Sequence, residues 1–225
     1  MGTRGSLGFI CEEKEYLNYN QFDSYPDGLG QEVLKFITNI NSQNGWSKFK
    51  ENGKNLIQLE GKRVTDPEIM ERYKKYADLG VSEQTLEDPY CLFRKIQNSW
   101  MNEIYKGELQ HFYFNNKFIY DSLFCEYAYI INLDTMKLEF YDGFQDKPQI
   151  GNRYGAEPNE DGYYPCRLVC VFDLQSIINS DDVKLIIEKM ENFCGSKKDD
   201  SSVKKYFNAC FRKPKLDVIN EKASV

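Results

Sequence analysis

Polar side chains able to converge on a ligand are concentrated near the N-terminus, in the run Asn20, Asp23, Ser24, Tyr25 and Asp27, with Arg4 a short way upstream. Carboxylates, an amide and hydroxyls so close together can hold a small polar molecule through charge and hydrogen bonds. An arginine meeting Asp23 would add either an anion clamp or a structural ion pair. The same residues are also turn formers: Asp and Ser bond nearby backbone, Pro26 fixes φ, and Gly28 admits a left-handed conformation. Both readings put a tight strand-to-helix junction here. They differ in whether the polar atoms face a concavity or are used up by the backbone.

Other chemistries find less support. His111 is the single histidine, so any Ser-His or Cys-His mechanism would have to run through it, and its neighbours HFYFNN read as a segment entering the core. The cysteines number seven and lack the dense spacing of a secreted disulfide scaffold, so they read as reduced thiols. Cys166 and Cys170 fall on one face of a predicted strand, where they read as small hydrophobes rather than metal ligands. Asp134, Asp142, Asp146, Glu157 and Glu160 do not follow calcium-loop spacing and read as a solvated rim. Gly2, Gly5 and Gly8 open no helix and form neither phosphate-binding motif. No cofactor and no metal are expected.

The elements that position the N-terminal run follow from periodicity and turn chemistry. Thr3 to Cys11 and Tyr16 to Phe22 are strand-like runs joined by a charged turn, an N-terminal hairpin without an Asn-Gly signal. A helix is predicted from Gly30 to Ile40, with Val33, Phe36, Ile37 and Ile40 on its inner face, followed by a polar connector from Asn41 to Asn55. Asp66-Pro67 and Asp88-Pro89 each announce a helix with an Asp cap and Pro in the first turn. The first is expected to reach Asp78. The second carries Tyr90, Phe93, Gln97, Trp100 and Ile104 at helical spacing to about Tyr105. Phe124 to Leu133 alternates as a strand that turns back into Lys137 to Tyr141; in it Cys125, Tyr127, Tyr129, Ile131 and Leu133 share a face. A long loop, Gly143 to Gly162, precedes a strand from Cys166 to Phe172 and an amphipathic helix from Asp181 to Phe193, and Ser201 to Phe211 is a candidate last helix. The order implies an α+β fold: a mostly antiparallel sheet of two hairpins plus one strand, packed by about five helices. One domain is expected over 1–194, with a basic tail over 195–225, partly helical or disordered.

Several blocks resemble a family, seen in fungi, bacteria and phages, whose members open with MGTRG and follow it with a Tyr-Asn-x-x-Asp-Ser-Tyr-Pro turn. Here these are Met1 to Gly5 and Tyr19 to Pro26. Tyr76-Ala77-Asp78-Leu79, Asp88 to Leu92, Asp121 to Tyr129 and Tyr163-Tyr164-Pro165 are similar to its later blocks. This resemblance carries no known activity. The opening hairpin is also similar in architecture to the N-terminal-nucleophile amide hydrolases. That resemblance implies layers like those of the N-terminal-nucleophile hydrolases and a nucleophile at the first residue of the mature chain. Here only processing that exposes Thr3 would supply one, with Asn20 or Asp23 orienting it.

Composition bounds the partners. The net charge of −6 argues against a general nucleic-acid surface, although eight Lys/Arg and four Asp/Glu from Gly195 onward leave the tail at +4 and the rest at −10. No apolar run is long enough to span a bilayer. Gly2 and Ser6 fit a myristoylation pattern, which would give peripheral membrane contact only if Gly2 is lipidated. The expectation is a cytoplasmic protein that binds a small-molecule or protein partner through Arg4, Asn20, Asp23, Ser24, Tyr25 and Asp27. An amide hydrolase using Thr3 is the alternative from another class. A structural or assembly role, resting on the sixteen tyrosines, is the third.

Overall fold

The computed structural model describes residues 2–149, 153–155, 157–194, 203 and 206. The candidate last helix therefore lies outside the described residues except for Val203 and Tyr206. The architecture is α+β with a mostly antiparallel sheet. Strand β1, Gly5–Cys11, forms a hairpin with β2, Lys14–Asn20. The turn between them has positive φ at Glu12 (54°) and Glu13 (63°), the geometry for which Asn-Gly is normally selected. Asp134 supplies what the turn residues lack. Its two carboxylate oxygens accept from the Glu12 and Glu13 N–H groups, both at 2.8 Å.

Helix α1, Gln31–Ser42, buries Val33, Leu34, Phe36, Ile37 and Ile40. The expected connector after it contains a helix, α2, Trp46–Lys54. Its Gly, Asn and Ser content is overridden by packing: Phe49 is buried and its ring lies 5.1 Å from those of Phe9 and Phe36. After the short β3, Ile57–Gln58, Asp66 caps α3, Pro67–Tyr73, by accepting from the Glu68 N–H at 2.8 Å. This helix stops short of Asp78 and tightens into a 3-10 turn at Lys74–Tyr76.

Asp88 likewise caps α4, Pro89–Leu92, but the single helix expected to about Tyr105 is broken into three. A 3-10 turn at Arg94–Ile96 precedes α5, Trp100–Lys106, which ends at Gly107 with φ +85°. Asn98 and Ser99 are weak helix formers. The break lets Phe93 pack edge-on and Trp100 stack against Phe112 of β4, His111–Phe112, at 5.0 and 4.8 Å.

The second hairpin, β5 at Tyr127–Asn132 and β6 at Lys137–Asp142, is followed by β7, Arg167–Asp173, and α6, Ser180–Phe193, capped by Asn179. The sheet order is β2-β1-β5-β6-β7, with β1 and β5 parallel and the other pairs antiparallel; β3 and β4 form a separate short parallel ladder. Helices cover one face, over Leu7, Phe9, Tyr129, Ile131, Leu138 and Phe140. The other face buries Ile10, Leu17, Ala128, Ile130, Tyr141 and Leu168, together with Val203 and Tyr206. Cys125 precedes β5 and packs into this second face, apart from Tyr127, Tyr129 and Ile131. Cys166 and Cys170 also fall on opposite faces. A register shift in the β6–β7 pairing, between Phe140 and Tyr141, inserts one extra residue and reverses the alternation.

A buried carboxylate ties the second face together. Glu139 accepts from Tyr141 Oη (2.6 Å), Tyr206 Oη (2.5 Å), Asn132 Nδ2 (2.8 Å) and Arg153 Nη2 (2.5 Å). Burial and the Glu139 charge push the Tyr141 hydroxyl well above its usual range, which keeps it a donor. Among the described residues no helix is long and apolar enough to cross a membrane.

Candidate functional site

The turn after β2 is built by close approach. Gly5 has no side chain because a Cβ there would sit 2.6 Å from the Tyr127 carbonyl oxygen and 2.7 Å from Ser24 Cβ. The turn therefore folds back over the start of β1, where the Ser24 N–H donates to the Thr3 carbonyl at 3.2 Å. Ser24 is fully buried. Its hydroxyl accepts from Asn20 Nδ2 at 2.8 Å and its carbonyl from Tyr129 Oη at 2.9 Å. Asn20 also donates to the Phe22 carbonyl at 2.5 Å, closing the loop on itself.

Asp23 adopts φ +53°, a left-handed conformation that Asp tolerates better than most residues. Its carbonyl accepts from the Leu29 N–H at 2.7 Å, and a Cβ at Gly28 would come within 2.2 Å of that oxygen. Gly28 belongs to a π-helical turn, Pro26–Gly30, that leads into α1. The exposed Tyr25 hydroxyl donates to Asp23 Oδ1 at 3.2 Å, and this bond to a carboxylate raises its pKa.

This junction walls one side of a cleft of about 510 Å³. Asn20, Phe22, Asp23, Asp27, Gly28 and Leu29 line it from the turn, and Gln31 and Glu32 from the first turn of α1. The opposite wall is Asp78 with Arg94, Lys95, Gln97 and Asn98, from the break between α4 and α5. The stretch that fails to continue as helix is thus the one that faces the N-terminal turn.

Of the residues singled out in the sequence, Asn20, Asp23 and Asp27 line the cleft, whereas Ser24 supports it from beneath and Tyr25 touches it through Asp23. Arg4 is elsewhere. Its guanidinium lies over the Phe124 ring at 4.6 Å, its backbone N–H donates to Glu126 Oε1 at 3.1 Å, and no ion pair joins it to Asp23. Thr3 is not a lining residue, and the described part of the 143–162 loop contributes none. The loop's Arg153 and Tyr154 pack at the second face of the sheet instead.

Arg94, Asp78 and Gln97 were not singled out as site residues from the sequence. For Gln97 there was a signal: it is the one polar residue in the Tyr90, Phe93, Gln97, Trp100, Ile104 stripe. At 6% exposure it donates to the Tyr19 carbonyl (3.3 Å) and accepts from Arg94 Nη1.

His111 has a structural role. The Tyr73 hydroxyl accepts from the Gln110 and His111 backbone N–H groups, both at 3.1 Å, so its own proton points to His111 Nδ1, also at 3.1 Å. Nδ1 is therefore an acceptor and the ring neutral. Burial first, and Arg72 second, lower its pKa.

Compared with known proteins, the chain matches no family model, no curated protein and no solved structure.

Proposed function

We propose that the chain is a binding protein for a small polar molecule, held in the cleft between the turn after β2 and the Arg94–Asn98 segment. The observation that carries this reading is the cleft's size together with its lining. About 510 Å³ lies within the range of small-ligand pockets, and carboxylates, cations and amides from distant parts of the chain meet there. Much of the surrounding polar chemistry is already committed to backbone, as at Ser24 and Asn20. Such commitments hold the walls in place, and a pre-formed cleft costs a ligand less ordering than a mobile one.

The test is a titration of the isotopically labelled protein with a library of polar metabolites, read by NMR at the Asn20, Gln97 and Asn98 amides. At least one compound is expected to shift these signals saturably. Asn98→Trp, which places an indole in the cleft, is expected to abolish the shifts, while Arg4→Ala, away from the cleft, is expected to leave the affinity unchanged. A library that leaves all three amides unmoved overturns the reading.

A further inference from the structure

We propose that Arg94 is the anion clamp of this cleft and that the ligand is a small zwitterion of the α-amino acid class, with its carboxylate on Arg94 and its ammonium on the Asp23 and Asp27 side. This deepens the binding reading above and rests on it. Arg94 is held as a clamp requires. Its guanidinium carbon lies 5.2 Å from the ring centroids of both Phe22 and Tyr90, so two aromatic rings hold the group in place. Nη1 donates to Gln97 Oε1, and Gln97, buried and anchored to the Tyr19 carbonyl, is a positioning residue for it.

None of the charge on Arg94 is answered by a carboxylate: the arginine ion pairs among the described residues belong to Arg63, Arg153 and Arg167. A planar fork fixed at one nitrogen and unpaired at its others matches the two oxygens of a carboxylate.

The facing wall carries the opposite sign. Asp23, Asp27 and Glu32 line the cleft from the turn and the start of α1, against Arg94 and Lys95. Glu32 is already joined to Lys35 at 2.8 Å, whereas Asp23 and Asp27 are joined to no lysine or arginine among the described residues. A dianion would meet repulsion from the Asp wall, and a dication would meet it from Arg94 and Lys95. A ligand with one charge of each sign answers both.

The experiment titrates the common α-amino acids, each beside its α-carboxamide and its decarboxylated amine, into the wild type and the variants Arg94→Gln, Arg94→Lys and Gln97→Leu, with the same NMR readout and a thermal melt as the folding control. At least one amino acid is expected to bind, and its carboxamide at least tenfold more weakly. Arg94→Gln should weaken the acid at least tenfold and bring acid and amide to parity. Arg94→Lys should weaken it several-fold because an ammonium cannot make the paired contact, and Gln97→Leu should raise the Kd without changing which compound is preferred. Equal affinity for acid and amide, or wild-type affinity in Arg94→Gln, overturns the proposal. If Arg94→Gln does not fold, the acid-to-amide ratio in Arg94→Lys decides in its place. Binding by metabolites outside this panel, with every amino acid inert, overturns the zwitterion and leaves the binding reading standing; a cleft that no compound perturbs overturns both.

Discussion

Tyr73 shows how much a single hydroxyl settles. It accepts from two backbone N–H groups and donates to His111, so removing the oxygen takes a shared partner from two part-buried backbone donors and an imidazole acceptor. Tyr73→Phe is expected to cost about 1–3 kcal/mol in a denaturant melt. The pH dependence follows from the lowered His111 pKa. A histidine whose folded pKa lies below its unfolded value contributes stability that is complete above the unfolded value, near 6.5, and declines as the pH falls toward the folded value. The melting temperature should therefore fall between about pH 7 and pH 5, and His111→Gln should flatten that part of the profile; an unchanged profile would refute the assignment. At this scale only a minority of the candidate site was legible. Asn20, Asp23 and Asp27 announced themselves by type and crowding. Arg94 and Asp78 did not, because nothing in a linear pattern says that a capped helix will break and face a turn some seventy residues earlier.

At the scale of elements, both hairpins and the Asp-Pro helix starts could be read directly, since they depend on alternation and on donors left open in a first helical turn. One failure is local preference overruled by aromatic packing. Helix α2 forms from a stretch with poor helical composition because Phe49 fits between Phe9 and Phe36. Phe49→Ala is expected to cost about 3–5 kcal/mol, a loss that a flexible connector could not produce. The β1–β2 turn makes the converse point: its residues disfavour its geometry, and a carboxylate from another hairpin compensates. Asp134→Ala should cost about 1–2 kcal/mol, and pairing it with Glu13→Gly should recover part of the loss, because glycine accepts positive φ without strain. Unfolding curves of the two variants give the comparison.

For the whole molecule, the second face of the sheet depends on Glu139, which reaches a neighbouring strand through Asn132, the long loop through Arg153 and the C-terminal region through Tyr206. A boundary at 194 separates Val203 and Tyr206 from a cluster in which both are buried. Glu139→Ala would leave Arg153 without its buried counter-charge and is expected to cost about 3–5 kcal/mol. Ending the chain at Cys194 should lower the melting temperature and increase binding of a hydrophobic dye; an unchanged melt would show that the C-terminal region contributes nothing. The parallel pairing of β1 with β5 has a consequence in time. Gly5 pairs with Tyr127, and Arg4 with Glu126, 122 positions onward. At typical rates of synthesis, on the order of ten seconds separate the emergence of the two strands. Contacts this distant in the chain also slow closure of the sheet. The turn that walls the cleft is anchored by Tyr129 on β5, so the part of the site made first by the ribosome waits for a strand more than a hundred residues later before it takes its shape.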